Sequence, residues 1–189
     1  MKRLASLLAL GQLDKLPRTG WIQAGVADPE SVAGHVLGVC HLALATCEWV
    51  EPRLDFGRVM SLILVHDAPE ALSGDLPRAA SAALPGGAKA SMEQTLAERL
   101  LASFPPGAGG AWTEWCAQTT REARFAKLCD RVQLGVRCLQ LHNSGQLGLA
   151  DFWQGLSQLD ASEFPPLANL LEEILQEFLE RGAEKRSTV

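Results

Sequence analysis

The stretch Val59-Met60-Ser61-Leu62-Ile63-Leu64-Val65-His66-Asp67-Ala68-Pro69-Glu70 runs an apolar segment directly into a histidine and an aspartate. Asp55 stands just upstream and can cap a helix that carries Val59–Val65 as its core. Elsewhere, apolar residues recur at intervals of three and four, and no run alternates strictly enough to make a sheet. The expected fold is therefore all-α. An ionised aspartate is rarely buried unless it is paired or bound to a metal, so Asp67 at the end of such a helix is chemically informative. Pro69 lacks the N–H that would bond the carbonyl of Val65, so the helix should bend beside the His-Asp pair.

Outward from this segment, Pro29-Glu30-Ser31 opens a helix expected to reach about Trp49, where Glu51-Pro52 ends it. Ser73-Gly74-Asp75-Leu76-Pro77 closes the helix of the quoted run. Leu84-Pro85-Gly86-Gly87 begins a loop before an amphipathic segment from Lys89 to Phe104, and Pro105 to Gly110 form a second break. A long helix is expected from about Trp112 to Leu141, then a turn near Asn143-Ser144-Gly145 and helices over Leu149–Leu159 and Pro166–Arg181. The tail Glu184–Val189 reads as frayed. At the other end, Met1-Lys2-Arg3 and the leucines after it resemble a leader, but Leu4, Leu7 and Leu8 fall at helical spacing and favour a first amphipathic helix. No internal repeat or long linker divides the chain, and residues 1–189 read as a single-domain helical bundle.

Composition limits the function. Seventeen basic residues against twenty-two acidic ones leave a net charge of −5, which argues against a basic footprint for a nucleic-acid polymer or an anionic membrane. Residues 31–47 form the longest uncharged run, but it is barely bilayer length and holds two histidines, so it reads as a buried helix. The five cysteines show no CxxC spacing and read as reduced thiols of a cytoplasmic protein.

The unusual polar residues are embedded in apolar helices: His35 within Val32–Leu37, His66-Asp67 after Val65, and Asp130 within Phe125–Val132. Imidazole nitrogen and carboxylate oxygen together suit a divalent transition ion, and three helices could bring the four side chains to one point. Singly, each has an ordinary reading: His35 as a satisfied core histidine, Asp130 as one end of an ion pair with Arg131. Glu70 lies four residues after His66, on the same face of a regular helix, and Asp75 follows in the closing turn. Two carboxylates beside a metal could orient water and handle protons in hydrolysis.

The order His35, His66-Asp67, Asp130 resembles the H…HD…D signature of HD-domain metal-dependent phosphohydrolases. Leu16–Trp21, Pro29–Ala33 and Glu70–Pro77 resemble one branch, the 5′-deoxynucleotidases, and the core motifs span residues 16–130. The resemblance implies a helical bundle in which His35, His66, Asp67 and Asp130 hold one divalent metal ion (Mn, Co, Mg or Ni). It implies Glu70 and Asp75 as catalytic acids and Arg18 as the ligand of the substrate phosphate, a role that a planar guanidinium suits. Trp21 reads as a loop anchor, and Lys127 matches a basic position one helical turn before Asp130. Two departures stand out: Gly34 where the branch usually has an acid, and Pro69 inside the helix.

The implied activity is hydrolysis of a nucleoside 5′-monophosphate, with deoxyribose, by a homodimer. The alternatives are a relative acting on a cyclic nucleotide or a triphosphate, and a nucleotide-binding regulatory module with little turnover.

Overall fold

The computed structural model describes residues 1–187, with side chains described through Glu180. Its helices are α1 (Arg3–Leu10), α2 (Thr19–Gln23), α3 (Val32–Thr46), α4 (Phe56–Val65), α5 (Glu70–Ser73), α6 (Arg78–Ala83), α7 (Ala88–Leu101), α8 (Pro106–Ala117), α9 (Arg121–Asn143), α10 (Ala150–Ser157) and α11 (Pro165–Ser187). The all-α, single-domain expectation holds. The frayed tail expected over 184–189 falls on side chains and terminal residues outside those described.

The long α9 is the axis of the bundle, with α3, α4, α8, α10 and α11 packed around it. Val32 and Val39 of α3, Leu62 and Ile63 of α4, Phe125 and Val132 of α9 and Leu167 of α11 are completely buried. Each such side chain contributes roughly 1.5–3 kcal/mol by leaving water. Phe125 and Phe164 meet edge to face at 5.2 Å and join α9 to the base of α11. All five cysteines are free thiols, and only Cys116 is exposed.

Three local expectations are corrected. The helix expected from Trp112 to Leu141 is two helices, because Gln118 turns left-handed at φ 53° and Thr120 caps a new helix through the amide of Ala123. The break expected at Pro105–Gly110 is instead the first turn and a half of α8. Proline is tolerated there, and burial of Ala111, Trp112 and Trp115 overrides the poor helix propensity of the glycines. Helix α1 forms as expected, but it turns Ser6 inward toward Ser103 and leaves Leu4, Leu7 and Leu8 exposed.

The quoted segment ends as its proline requires. Helix α4 stops at Val65, whose carbonyl accepts from the amide of Ala68 at 3.1 Å in place of the nitrogen that Pro69 cannot offer. Glu70 likewise donates to Asp67 at 3.0 Å, so His66–Pro69 winds as a tight turn before α5. The single regular helix assumed to carry His66 and Glu70 on one face is thus broken between them.

Thr120 also donates to Glu114 at 2.6 Å and so ties α8 to α9. Thr120→Ala is expected to lower unfolding free energy by about 1 kcal/mol or somewhat more, read as a lower urea midpoint with an unchanged slope. An unshifted midpoint would show that the cap does not hold the break.

Candidate metal centre

Three elements bring the polar residues of the core together. His35 sits in the first turn of α3, His66 and Asp67 at the broken end of α4, and Asp130 near the middle of α9. His35 Nε2 lies 3.0 Å from Asp130 Oδ1 and 3.8 Å from Asp67 Oδ2; His66 Nε2 lies 3.0 Å from Asp67 Oδ2 and 4.0 Å from Asp130 Oδ1. Ligands bound at about 2.1 Å and separated by 90–109° stand roughly 3.0–3.4 Å apart, so the two 3.0 Å pairs are spaced as ligands of one ion would be and the 3.8 and 4.0 Å pairs lie wider.

The hydrogen bonds on the far side of each ring sharpen this. His66 Nδ1 donates to the carbonyl of Ile63 at 2.7 Å, and His35 Nδ1 donates to Gln133 Oε1 at 2.6 Å. A carbonyl oxygen can only accept, so both Nδ1 atoms carry protons and both Nε2 atoms face the centre. In the neutral rings these are lone pairs, each aimed at a carboxylate oxygen 3.0 Å away. Two lone pairs set against two anions need positive charge between them, a proton on the ring or a metal ion. His66 Nε2 is buried, with Asp67 Oδ2 3.0 Å away as its nearest charged neighbour among the described residues. The donor set therefore fits a divalent ion held by His35, His66 and Asp130, with Asp67 bordering the same point.

Electrostatics keep the carboxylates charged. Burial works against Asp130, but Lys127, whose Nζ is 3.0 Å from Oδ2, and the two histidines hold it well below the ordinary range. Burial also opposes the charge of Asp67, which His66 and His35 pull down while Asp130 pushes it up. His66 is raised: burial disfavours its proton, and Asp67 and Asp130 outweigh that. Arg131, the other candidate partner of Asp130, is turned to solvent, and Lys127 takes its place while lying over the ring of Trp115 at 4.6 Å.

Arg18, Glu70 and Asp75 gather beside the centre. An isolated bridge joins the loop before α2 to the start of α3: Arg18 N donates to Glu30 O at 3.0 Å, and Val32 N donates to Leu16 O at 2.8 Å. Arg18 Nη1 reaches Asp67 Oδ2 at 3.4 Å. Burial disfavours its charge, yet Asp67, Asp130, Asp75 and Glu70 together raise its pKa. Thr19 donates to Asp75 Oδ2 from its amide at 2.5 Å and from its hydroxyl at 2.9 Å. Gly74, at φ 78°, supplies the left-handed turn that delivers Asp75. Burial first, and then the charges of Asp67 and Asp75, push the Glu70 carboxyl up to about 9 against the pull of Arg18 and Lys89.

Two functional residues escaped the sequence reading. Gln133, one turn beyond Asp130, orients His35 and donates to Glu30 Oε2 at 3.4 Å, and Glu30 Oε1 accepts from Trp21 Nε1 at 3.0 Å. A Cβ on Gly38 would stand 2.6 Å from Gln133 Nε2, so that glycine makes room for the contact. Trp21 is fully buried and stacked on Phe152 at 4.4 Å, in keeping with an anchor. Gly34 borders a cavity of about 510 Å³ with His41 and Arg137, and Glu30 and Gln133 line the same cavity.

A family model described as HD domain matches residues 10–180. The chain belongs to the HD domain family. Among relatives of this HD domain, the 5′-deoxynucleotidase HDDC2 of Xenopus laevis is 30% identical over 184 residues, covering 95% of this chain and 89% of that protein. The human 5′-deoxynucleotidase HDDC2 is 28% identical over 177 residues, covering 90% of this chain and 83% of its own. A solved protein of Pyrococcus horikoshii OT3 shares the fold with a TM-score of 0.80 at 24% identity, covering 92% of this chain and 99% of that one.

If Gln133 holds the tautomer of His35, Gln133→Leu should weaken Mn²⁺ binding by about 10–100-fold, measured by calorimetric titration of the chelator-stripped protein. Gly38→Ala should do the same by displacing the amide, and unchanged affinity in both would remove the role. The Glu70 carboxyl predicts a pH effect. Its folded pKa of about 9 exceeds the ordinary 4.5, so the stability it confers is complete below the lower value and is lost as pH rises through the higher. The melting temperature of the metal-free protein should therefore fall between these values more steeply than that of Glu70→Gln. Parallel curves would contradict the raised pKa.

Proposed function

We propose that this HD domain is a metal-dependent phosphohydrolase that converts nucleoside 5′-monophosphates, with 2′-deoxyribose, to nucleoside and inorganic phosphate. The observation that carries the reading is the convergence of the donors His35, His66 and Asp130, with Asp67 bordering them, one half-buried arginine and two further carboxylates around one centre. The 5′-deoxynucleotidase relatives, similar over most of both chains, supply the substrate class.

His35, His66, Asp67 and Asp130 would hold the ion. When bound, it supplies Lewis-acid polarisation of the phosphate and a lowered pKa for water. Arg18 holds the phosphate in line and offsets its growing charge. Glu70 and Asp75 divide the proton work, and the raised pKa of Glu70 favours it as the donor. Water adds to phosphorus, the bond from phosphorus to the 5′-oxygen breaks, and Glu70 gives its proton to the departing oxygen. Asp75, whose Oδ2 is fixed by Thr19, accepts the water proton through its other oxygen, and exchange with solvent resets both acids. In the metal-free protein, desolvation and the charges of Asp67 and Asp75 push the Glu70 carboxyl up to about 9, where an exposed glutamate would be an anion at neutral pH.

The test is phosphate release from paired ribo- and deoxyribonucleoside 5′-monophosphates after metal stripping and re-addition of Mn²⁺, Co²⁺, Mg²⁺ or Ni²⁺. Release should vanish on stripping, return with one of the ions, and drop about 10²–10⁴-fold in Glu70→Gln. Metal-independent release, or full activity in His66→Ala, would sink the proposal. Equal rates on both sugars would remove the deoxyribose preference and leave the phosphohydrolase.

A further inference from the structure

Arg18 and Asp75 open onto a cavity of about 540 Å³, within the ordinary size of a small-molecule site. Four cationic side chains line it (Arg18, Arg78, Lys89 and Arg131), against the single carboxylate of Asp75. In a chain of net charge −5 this is a local inversion of sign. Two of the cations have partners: Arg18 contacts Asp67 at 3.4 Å, and Lys89 Nζ lies 3.4 Å from Glu93. Arg78 and Arg131 have neither an ion pair nor a hydrogen bond among the described residues.

Their position is specific. Both also line a second cavity of about 540 Å³ that continues past Phe152 along α10, whereas Arg18 and Asp75 border only the first. Arg131 follows Asp130 in α9 and Arg78 opens α6, so two separate elements deliver free guanidinium groups to the junction of the cavities. A solvated arginine on a convex surface needs no explanation, but two without ion-pair partners on one concave wall, where Asp151 is the one carboxylate lining the second cavity, leave the joined lining net positive. A substrate with one phosphate, held at Arg18, leaves that charge unmet.

We propose that Arg78 and Arg131 form a second anion subsite, and that the preferred substrate carries a second phosphate there, as a nucleoside 3′,5′-bisphosphate does. This rests on the phosphohydrolase reading above for the position of the 5′-phosphate. A 5′-diphosphate keeps its second phosphate beside the first, near Arg18. A 3′-phosphate stands across the sugar, toward the second cavity. Guanidinium groups suit it because they grip phosphate oxygens in pairs. The reaction is unchanged: the 5′-phosphate leaves as inorganic phosphate, and the 3′-phosphate stays on the nucleoside.

The experiment is calorimetric binding to the Mn²⁺-loaded Glu70→Gln protein, with deoxyadenosine 5′-monophosphate, 3′,5′-bisphosphate and 5′-diphosphate at low and high salt. The bisphosphate should bind at least ~10-fold tighter than the monophosphate, with an advantage that shrinks as salt rises. Adding Arg78→Ala and Arg131→Ala should abolish that advantage and leave monophosphate binding as it was, while the corresponding lysine pair keeps part of it. Both positions are exposed, so folding is not at risk. Equal binding of the two ligands, an advantage that survives both alanines, or a preference for the 5′-diphosphate would overturn the subsite. Phosphate release from the 5′-monophosphate by the unaltered protein reports separately on the phosphohydrolase reading.

Discussion

Two imidazole lone pairs facing two carboxylates inside a helical core make the constraint on which the rest of the structure depends. His35 is wholly inaccessible, and the side chains of Asp67 and Asp130 are only 15% and 13% exposed. Removing an ion from water costs several kcal/mol even after relaxation, so neither carboxylate can stay charged there without company. Lys127 and Arg18 supply permanent positive charge at the rim, and the histidines supply polar contact within. A cation at the centre would complete the balance. Helices α3, α4 and α9 must therefore meet at this point. Losing one ligand would leave a buried charge unmatched and would weaken the fold along with any chemistry.

That demand explains features that look incidental. The break at Pro69 releases α4 after His66 and lets the chain turn to bring Glu70 and Asp75 back toward the centre. Three separate backbone segments are stitched beside it: Leu16–Thr19 to the start of α3 through the bridge, and the Asp75 turn to Thr19. The chain from Trp21 through Glu30 and Gln133 to His35 links an aromatic wall of the cavity to a metal donor by three hydrogen bonds. Networks of this kind lock rotamers that would otherwise be free, which a site working to tenths of an ångström requires.

Much of this was legible in the residues, for a definable reason. A polar side chain within an apolar run is conspicuous, so His35, His66, Asp67 and Asp130 could be picked out and the three-helix convergence expected. Periodicity also placed most helices, since burial of one stripe is a local property of sequence. It could not say which way α1 faces, because spacing shows which leucines share a side and not what that side meets. It ran through residues 118–120, where one left-handed residue and one threonine cap outweigh an otherwise continuous pattern. Gln133 stayed hidden because glutamine is unremarkable in a helix. Its meaning comes from Gly38 on another element, and that pairing exists only in three dimensions.

The net charge is the property that changes most between sequence and structure. As a total, −5 speaks against polyanions. Resolved in space, the acids at the centre are balanced by histidines, Lys127 and Arg18, while the neighbouring cavity carries cations in excess. Arg18 belongs to both regions, reaching Asp67 on one side and bordering the cavity on the other. Its guanidinium has five donors, and the single 3.4 Å contact to Asp67 leaves most of them for a ligand. An acidic protein can thus recognise phosphate by keeping its positive charge where a phosphate would lie, and by spending its negative charge on the ion that must stand beside it.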